Sequence, residues 1–365
     1  MMTIPKIVTT GGPCAGKTTA QAFLVQKLSE IGYYPILVPE APTLLMNSRV
    51  TPVGNVFDLR SFQERVITMT RILEEQMELA ARASGHPKPI LICDRGIMDA
   101  KAYMPAELFT EITQAQGIDT RTVCDGRYVG VFHLRSAAIG AEEFYTCANN
   151  SARRENLTEA READERTLHA WIGHTHVAII GNEGRTFEEK LHTLWKKICR
   201  VLGEPVPLEI ERRFLIKPID IDALKIPYRT VEIEQVYIRP IESGTVLRIR
   251  KRGDGNVFTY FETTKREVRP GVRIETERLI SAVEYATLLP YQEPHTRVVK
   301  KRRTCFVYND QYFELDTFAA PHEGLTILEL ELTEENDRID LPPFIEVLEE
   351  VTMKRNFSNR ALAVC

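Results

Sequence analysis

Thr9-Thr10-Gly11-Gly12-Pro13-Cys14-Ala15-Gly16-Lys17-Thr18 decides the N-terminal fold, because Gly11, Gly16, Lys17 and Thr18 fill every fixed position of a G-x-x-x-x-G-K-[ST] loop. Glycines there let successive backbone N–H groups turn towards phosphate oxygens. The Lys17 ammonium adds a point charge for the outer phosphates, and the Thr18 hydroxyl suits a divalent cation. Gly11, Gly12, Pro13, Cys14, Ala15, Gly16, Lys17, Thr18 and Thr19 are thereby assigned to a bound nucleotide. The flanks agree with the loop. Lys6 to Thr10 reads as a short buried strand, and Thr18 to Ile31 as a helix with Ala20, Phe23, Leu24, Leu28 and Ile31 at helical spacing and Gly32 as its stop.

At 365 residues the chain exceeds one ordinary core and predicts two domains. A net charge of −4 excludes a general attraction to nucleic acid, so any basic function is local. No apolar run approaches the ~18 residues that span a bilayer, and the N-terminus lacks the layout of a signal peptide; a cytoplasmic location is expected, at most peripheral to membranes. Seven scattered cysteines without a C-x-x-C pair argue for reduced thiols. His174 and His176 read as ordinary helix-end and strand-start residues rather than a metal pair. Oligomeric state leaves no signal.

Residues 1–203 alternate strand-like apolar runs with helical periodicity, the pattern of a parallel α/β sheet. Five strands are expected near Lys6 to Thr10, Pro35 to Pro39, Ile90 to Asp94, Tyr128 to Leu134 and Val177 to Gly181. Asp58 to Ser84 carries Phe62, Val66, Met69, Leu73 and Met77 on one stripe and reads as a long amphipathic helix. Glu188 to Leu202 is the last helix of this half. Residues 204–208 form a stiff, proline-containing linker. From 209 to 365 the texture changes to strands with alternating charge.

Ile90 to Asp94 is an apolar strand ending in an acid, where a carboxylate reaches the metal shell of a phosphate-loop site. Asp94 therefore joins Lys17 as a catalytic candidate. Glu40 closes the second strand at the carboxyl edge of the sheet, where it could orient an acceptor, act as a base or serve a turn. Arg153 and Arg154 lie in the segment Ser136 to Leu157. They could close over a transferring phosphoryl group or belong to a solvated charge run.

This half resembles the P-loop nucleoside and nucleotide kinases, particularly the small AAA-type ATPase-like domains related to nicotinamide riboside kinase. The resemblance rests on the loop, Val38-Pro39-Glu40, Cys93-Asp94-Arg95-Gly96, Arg153-Arg154 and Phe187-Glu188-Glu189-Lys190. It implies a five-stranded sheet, bound ATP or GTP with Mg²⁺, and a lid.

In the second half, bases pair on some strands (Arg248 and Arg250, Lys301 and Arg303) and acids on others (Glu209 and Glu211, Glu275 and Glu277, Glu329 and Glu331). Solvent-facing strands would intersperse the signs. Charged faces turned into a closed barrel need a polyanion and hard cations such as Mg²⁺ or Mn²⁺. The succession Glu209-x-Glu211, Leu247-Arg248-Ile249-Arg250, Thr263-Thr264-Lys265, Arg273-x-Glu275-x-Glu277, Lys301-x-Arg303, Glu314-Leu315-Asp316 and Glu329-Leu330-Glu331 resembles a CYTH domain, the triphosphate-tunnel metalloenzyme family. That resemblance implies an eight-stranded antiparallel tunnel. By position it gives phosphate binding to Arg248, Arg250, Lys265, Arg273, Lys301 and Arg303, and metal binding to Glu209, Glu211, Asp316, Glu329 and Glu331. Arg213 stands where the family's E-x-E-x-K motif has lysine. It keeps the charge with a different geometry, which favours binding of a polyanion over its hydrolysis.

A kinase-like domain followed by a CYTH domain resembles the TRPL translocation defect protein family. Two functions are therefore expected. One is enzymatic: Mg²⁺-dependent NTP binding with phosphoryl transfer or hydrolysis, joined to a tunnel that binds and cleaves a triphosphate or polyphosphate. The other is non-catalytic: GTP-regulated capture of an inositol phosphate head group or phosphoinositide membrane in membrane-protein trafficking.

Overall fold

Lys6-Ile7-Val8-Thr9-Thr10 is apolar or hydroxylated throughout and becomes β1 (Lys6–Thr10), buried along its whole length at the centre of a parallel sheet. The structure, a computed structural model, describes residues 4–52, 56–145, 156–184, 186–204, 208–220, 225–239, 244–255, 257–269, 272–332 and 334–364; the side chains of Leu208, Glu209, Arg269, Val272 and Arg273 are outside that set. The chain divides into two units, Met1–Ile198 and Cys199–Cys365.

In the first unit β1 is joined by β2 (Tyr34–Val38), β3 (Pro89–Asp94), β4 (Gly130–Leu134) and β5 (Val177–Ile180) in the order β2-β3-β1-β4-β5, all parallel. The five expected strands are all present. Helices α1 (Lys17–Glu30), α2 (Ala41–Asn47), α3 (Leu59–Ala83), α4 (Ala106–Ala115), α5 (Thr120–Gly126), α6 (Leu157–His169) and α7 (Phe187–Leu202) connect or follow them. The long helix α3 starts where Asp58 caps the Ser61 N–H at 2.6 Å and buries Phe62, Val66 and Ile67. Helix α1 opens one residue earlier than its periodicity suggests, because Gly16 takes a left-handed N-cap conformation at φ +81°.

The second unit is almost entirely antiparallel. Strands β6 (Leu208–Ile216), β7 (Tyr228–Ile238), β8 (Thr245–Asp254), β9 (Val257–Arg269), β10 (Val272–Ile280), β11 (Val299–Tyr308), β12 (Gln311–Phe318) and β13 (Thr326–Glu331) pair in the order β10-β9-β8-β7-β11-β12-β13-β6. A further pairing of β10 with β6, Arg273 opposite Glu209, closes these eight strands into a ring. A ninth strand, β14 (Val347–Glu350), adds to the far half of β6. Helices are short, α8 (Ala282–Leu288) and α9 (Asn359–Ala363).

Period-two alternation sorts the ring's faces. Phe214, Ile216, Phe313, Leu315, Leu328 and Leu330 cluster on one face. The residues between them, Arg213, Glu314, Asp316 and Glu329, point to the other. That inner face buries charge instead of apolar groups: Arg213, Arg248, Arg250, Arg252, Lys301, Arg303, Asp316 and Glu329 are all buried. The fold is thus an α/β phosphate-loop unit followed by a tunnel-like β unit.

Candidate phosphate-binding sites

The glycine loop runs from the end of β1 to the start of α1. Gly11 adopts φ +145°, and a Cβ there would lie 2.1 Å from the Leu134 carbonyl oxygen. No other residue fits. The loop is tied from behind. Asp164 of α6, fully buried, accepts from the Gly12 N–H at 2.8 Å and the Ser136 N–H at 2.9 Å, while Arg135 at 2.9 Å and His133 at 3.1 Å take its other oxygen. Burial would raise this carboxyl's pKa, but the adjoining His133 and Arg135 hold it well below the usual range. From α7, the Lys190 ammonium donates to the Ala15 carbonyl at 3.3 Å, the Arg135 carbonyl at 2.7 Å and Asn182 Oδ1 at 2.7 Å. Asn182 in turn donates to Ser136 and Ile139 carbonyls, so its amide is spent on the loops.

In front of the loop stand the expected Lys17, Asp94 and Glu40. Burial and the Arg95 guanidinium lower the Lys17 pKa, against the pull of Asp94, Glu40 and Asp99. Asp94 closes β3 opposite Thr9. Burial and nearby Glu40 raise its pKa against Lys17 and Arg95, and its Oδ1 is buried with no hydrogen-bond partner among the described residues. A buried carboxylate oxygen left open is a feature that Mg²⁺ or Mn²⁺ would satisfy, and Thr18 lies exposed in the first turn of α1.

Glu40 caps α2 and binds both Arg95 Nε, at 2.5 Å, and the Thr43 hydroxyl. Burial alone would raise its pKa; Arg95 and Lys17 outweigh it and bring the carboxyl down to about 2. Of the roles open to Glu40 in the sequence, that of a base near neutral pH is not compatible with this pairing. Thr19 is exposed. Arg153 and Arg154 lie outside the described residues. His174 is structural, its ring bonded to the Tyr128 carbonyl and the His176 N–H.

On the inner face of the ring Arg248, Arg250, Lys265, Lys301 and Arg303 each meet an acid. Arg248 approaches Glu275 at 3.4 Å, Arg250 lies 2.9 Å from Glu277, and Lys265 lies 2.7 Å from Glu275, its cross-strand neighbour. Across the ring Arg303 contacts Asp316 and Glu329, at 2.7 and 2.6 Å, and also Glu314; Lys301 binds Asp316. Pairing is what allows such charge to be buried. Asp316 is held down to about 2 by Arg303 and Lys301 against its burial. Burial and the Asp316 carboxylate push Glu329 up to about 7 in spite of Lys301 and Arg303.

The described members of the metal set expected here are paired with bases or exposed. Among the described residues no group of three His, Cys, Asp or Glu side chains is placed to hold a metal ion. Asp316 and Glu329 are engaged with bases, Glu211 lies 3.3 Å from Arg213 Nε, and Glu331 is exposed. The Glu209 and Arg273 side chains lie outside the described residues. Arg213 is fixed on the C-terminal segment, donating to the Thr352 carbonyl at 2.9 Å and the Phe357 carbonyl at 3.0 Å. Lysine could not make this two-pronged contact with the same fork.

Two groups of residues escaped the sequence reading. Arg252 continues the alternation of Arg248 and Arg250 and is fully buried, so period two could have found it. Asp164, His133 and Arg135 left no local signal, because Asp164 meets the loop across 152 residues of chain.

Comparison with known proteins covers both halves. Residues 6–190 match the family model described as AAA domain. An inorganic triphosphatase of Nitrosomonas europaea is 33% identical over 157 residues, which are 43% of this chain and 97% of that protein. Among solved structures, the crystal structure of an inorganic triphosphatase is 31% identical, covers 43% of this chain and 95% of that one, and has a TM-score of 0.31. A protein of Pyrococcus horikoshii OT3 is 25% identical, covering 35% and 80%, with a TM-score of 0.27.

Proposed function

Because the chain belongs to the AAA-domain family through residues 6–190, and in its C-terminal part to the family of the Nitrosomonas europaea inorganic triphosphatase, we propose an enzyme with two phosphate sites. The first unit binds ATP or GTP and transfers or hydrolyses the γ-phosphoryl group. The second binds a triphosphate or polyphosphate in its ring and cleaves it.

The observation that carries this reading is the buried inner face of the ring, where Arg248, Arg250, Lys301 and Arg303 are held by carboxylates. A polyanion entering there exchanges partners: its oxygens take the guanidinium forks and the ammonium as the carboxylates let go. In the first unit the glycine loop orients the phosphates, Lys17 neutralises them, and Asp164 and Lys190 keep the loop from relaxing. Mg²⁺ or Mn²⁺, when bound by Thr18 and Asp94, would supply charge at the β- and γ-oxygens.

Phosphate release by the full chain from tripolyphosphate, ATP and GTP tests the proposal. Lys301→Ala/Arg303→Ala should abolish release from tripolyphosphate and leave the Lys17-dependent release from nucleotide. Tripolyphosphate release that survives the double substitution would contradict it.

A second reading, GTP-regulated capture of an inositol phosphate head group without cleavage, is favoured by Arg213, which is committed to the Thr352 and Phe357 carbonyls. Flotation with phosphoinositide liposomes, with and without GTP, separates the two. Lipid-dependent recovery together with no phosphate release supports the second.

A further inference from the structure

Gln235 lies on β7, and none of the ion pairs of the inner face accounts for it. Its register partner on β8 is Arg250, so the two side chains share the face that carries the buried bases. The residue is 1% exposed. A neutral amide at that depth is costly unless its hydrogen-bonding groups are used.

One end of the amide is used. Oε1 accepts from Arg248 Nη1 at 3.1 Å, and because a guanidinium carries donors alone, the amide must turn its oxygen towards Arg248 and leave its nitrogen for another group. Arg248 is itself steadied, since Nη2 donates to the Thr263 hydroxyl at 3.3 Å and lies 3.4 Å from Glu275 Oε1. Thr263 in turn donates to Glu277 at 2.8 Å. The orientation of the amide is thus fixed from behind.

The other end, Nε2, is a buried donor with no hydrogen-bond partner among the described residues. Arg250 carries a second open donor at the same register. Its Nη2 lies 2.9 Å from Glu277 and its guanidinium 5.0 Å from the Phe261 ring centroid, yet its Nε is buried without a hydrogen-bond partner among the described residues. Two such donors on paired strands, one neutral and one cationic, match the acceptor-only oxygens of an anion. An oxygen that meets Nε2 displaces no carboxylate, whereas the ion-paired groups of Arg250, Lys301 and Arg303 each have one to give up.

We infer that Gln235 is a ligand-binding residue of the ring, its Nε2 donating to an oxygen of a bound linear polyphosphate while its Oε1 keeps Arg248 turned to the same anion. This rests on the polyanion reading of the ring. No bond is made or broken by the amide, and it exchanges no proton.

Calorimetric titration of the full chain with tripolyphosphate tests it, using Gln235→Leu, Arg248→Ala and the double variant. Low salt keeps the affinities within measurable range, because the remaining bases then attract the anion most strongly. Gln235→Leu should weaken binding by about 10-fold or more, the scale of a hydrogen bond to a charged group. A role confined to steadying Arg248 would make that loss vanish once Arg248 is gone. Direct donation leaves a further loss of about threefold or more in the Arg248→Ala background. Should Gln235→Leu fail to fold, Gln235→Met, which keeps the length of the side chain, must show both losses in its place. An affinity within about twofold of the unaltered protein, or a loss that disappears in the Arg248→Ala background, would overturn the inference. If the unaltered chain binds no tripolyphosphate, it is the polyanion reading of the ring that fails, and the inference falls with it.

Discussion

Asp316 illustrates at the residue scale how this protein buries charge. Its carboxylate is fully buried, binds Lys301 and accepts from the Nε and Nη2 groups along one edge of the Arg303 guanidinium. Removing the negative charge leaves Lys301 without its acid and Arg303 with only Glu314 and Glu329, and breaking a buried pair costs about 3–5 kcal/mol. Asp316→Asn should lower stability by that order in urea unfolding, and a loss below about 1 kcal/mol would show that the pair is screened. Because its pKa is depressed to about 2, the carboxylate's contribution is complete above the ordinary aspartate value and is lost as pH falls towards about 2. Glu329 has the opposite sign. Its pKa is raised to about 7, so the folded state holds the extra proton, and between the ordinary glutamate value and about 7 stability declines as pH rises. The groups facing it are Lys301, Arg303, Asp316 and Glu211. Protonation removes one of the three carboxylate charges that hold Arg303, so tripolyphosphate affinity should increase as pH falls through about 7. Glu329→Gln should flatten that dependence, and an unchanged slope in the variant would assign it elsewhere.

At the scale of elements, the glycine loop was legible because its spacing is a direct requirement of phosphate geometry. Gly11→Ala places a methyl group against the Leu134 carbonyl oxygen at a φ of +145°. It should abolish nucleotide binding in a titration while the tunnel unit keeps its tripolyphosphate affinity; retained nucleotide affinity would mean that the loop relaxes. The strands were equally legible, since β1 and β3 are continuous apolar runs and the tunnel strands alternate charge with period two. Helix α6 was not. Its Leu157-Thr158-Glu159-Ala160-Arg161-Glu162-Ala163-Asp164-Glu165-Arg166 reads as a polar run, and only the fold reveals that Asp164 lies buried beneath the loop. The tunnel's acids were legible as acids but not in their state. Motif spacing places carboxylates on one face, and only side-chain geometry tells whether they hold cationic side chains or stand free for a metal ion.

At the scale of the whole molecule, the proposed function puts two chemically distinct ways of meeting phosphate on one chain. The first unit would use backbone N–H groups, one lysine and an open buried carboxylate oxygen; the second would use guanidinium and ammonium groups now paired with carboxylates. No helix among the described residues is long and apolar enough to cross a membrane. The central claim is that these are two independent phosphate sites. Calorimetric titration of the full chain with ATP or GTP, and separately with tripolyphosphate, measures it most directly. The account predicts that Lys17→Ala removes a nucleotide site and spares the tripolyphosphate site, and that Lys301→Ala/Arg303→Ala does the reverse. A single shared site, lost to both ligands in either variant, would contradict it.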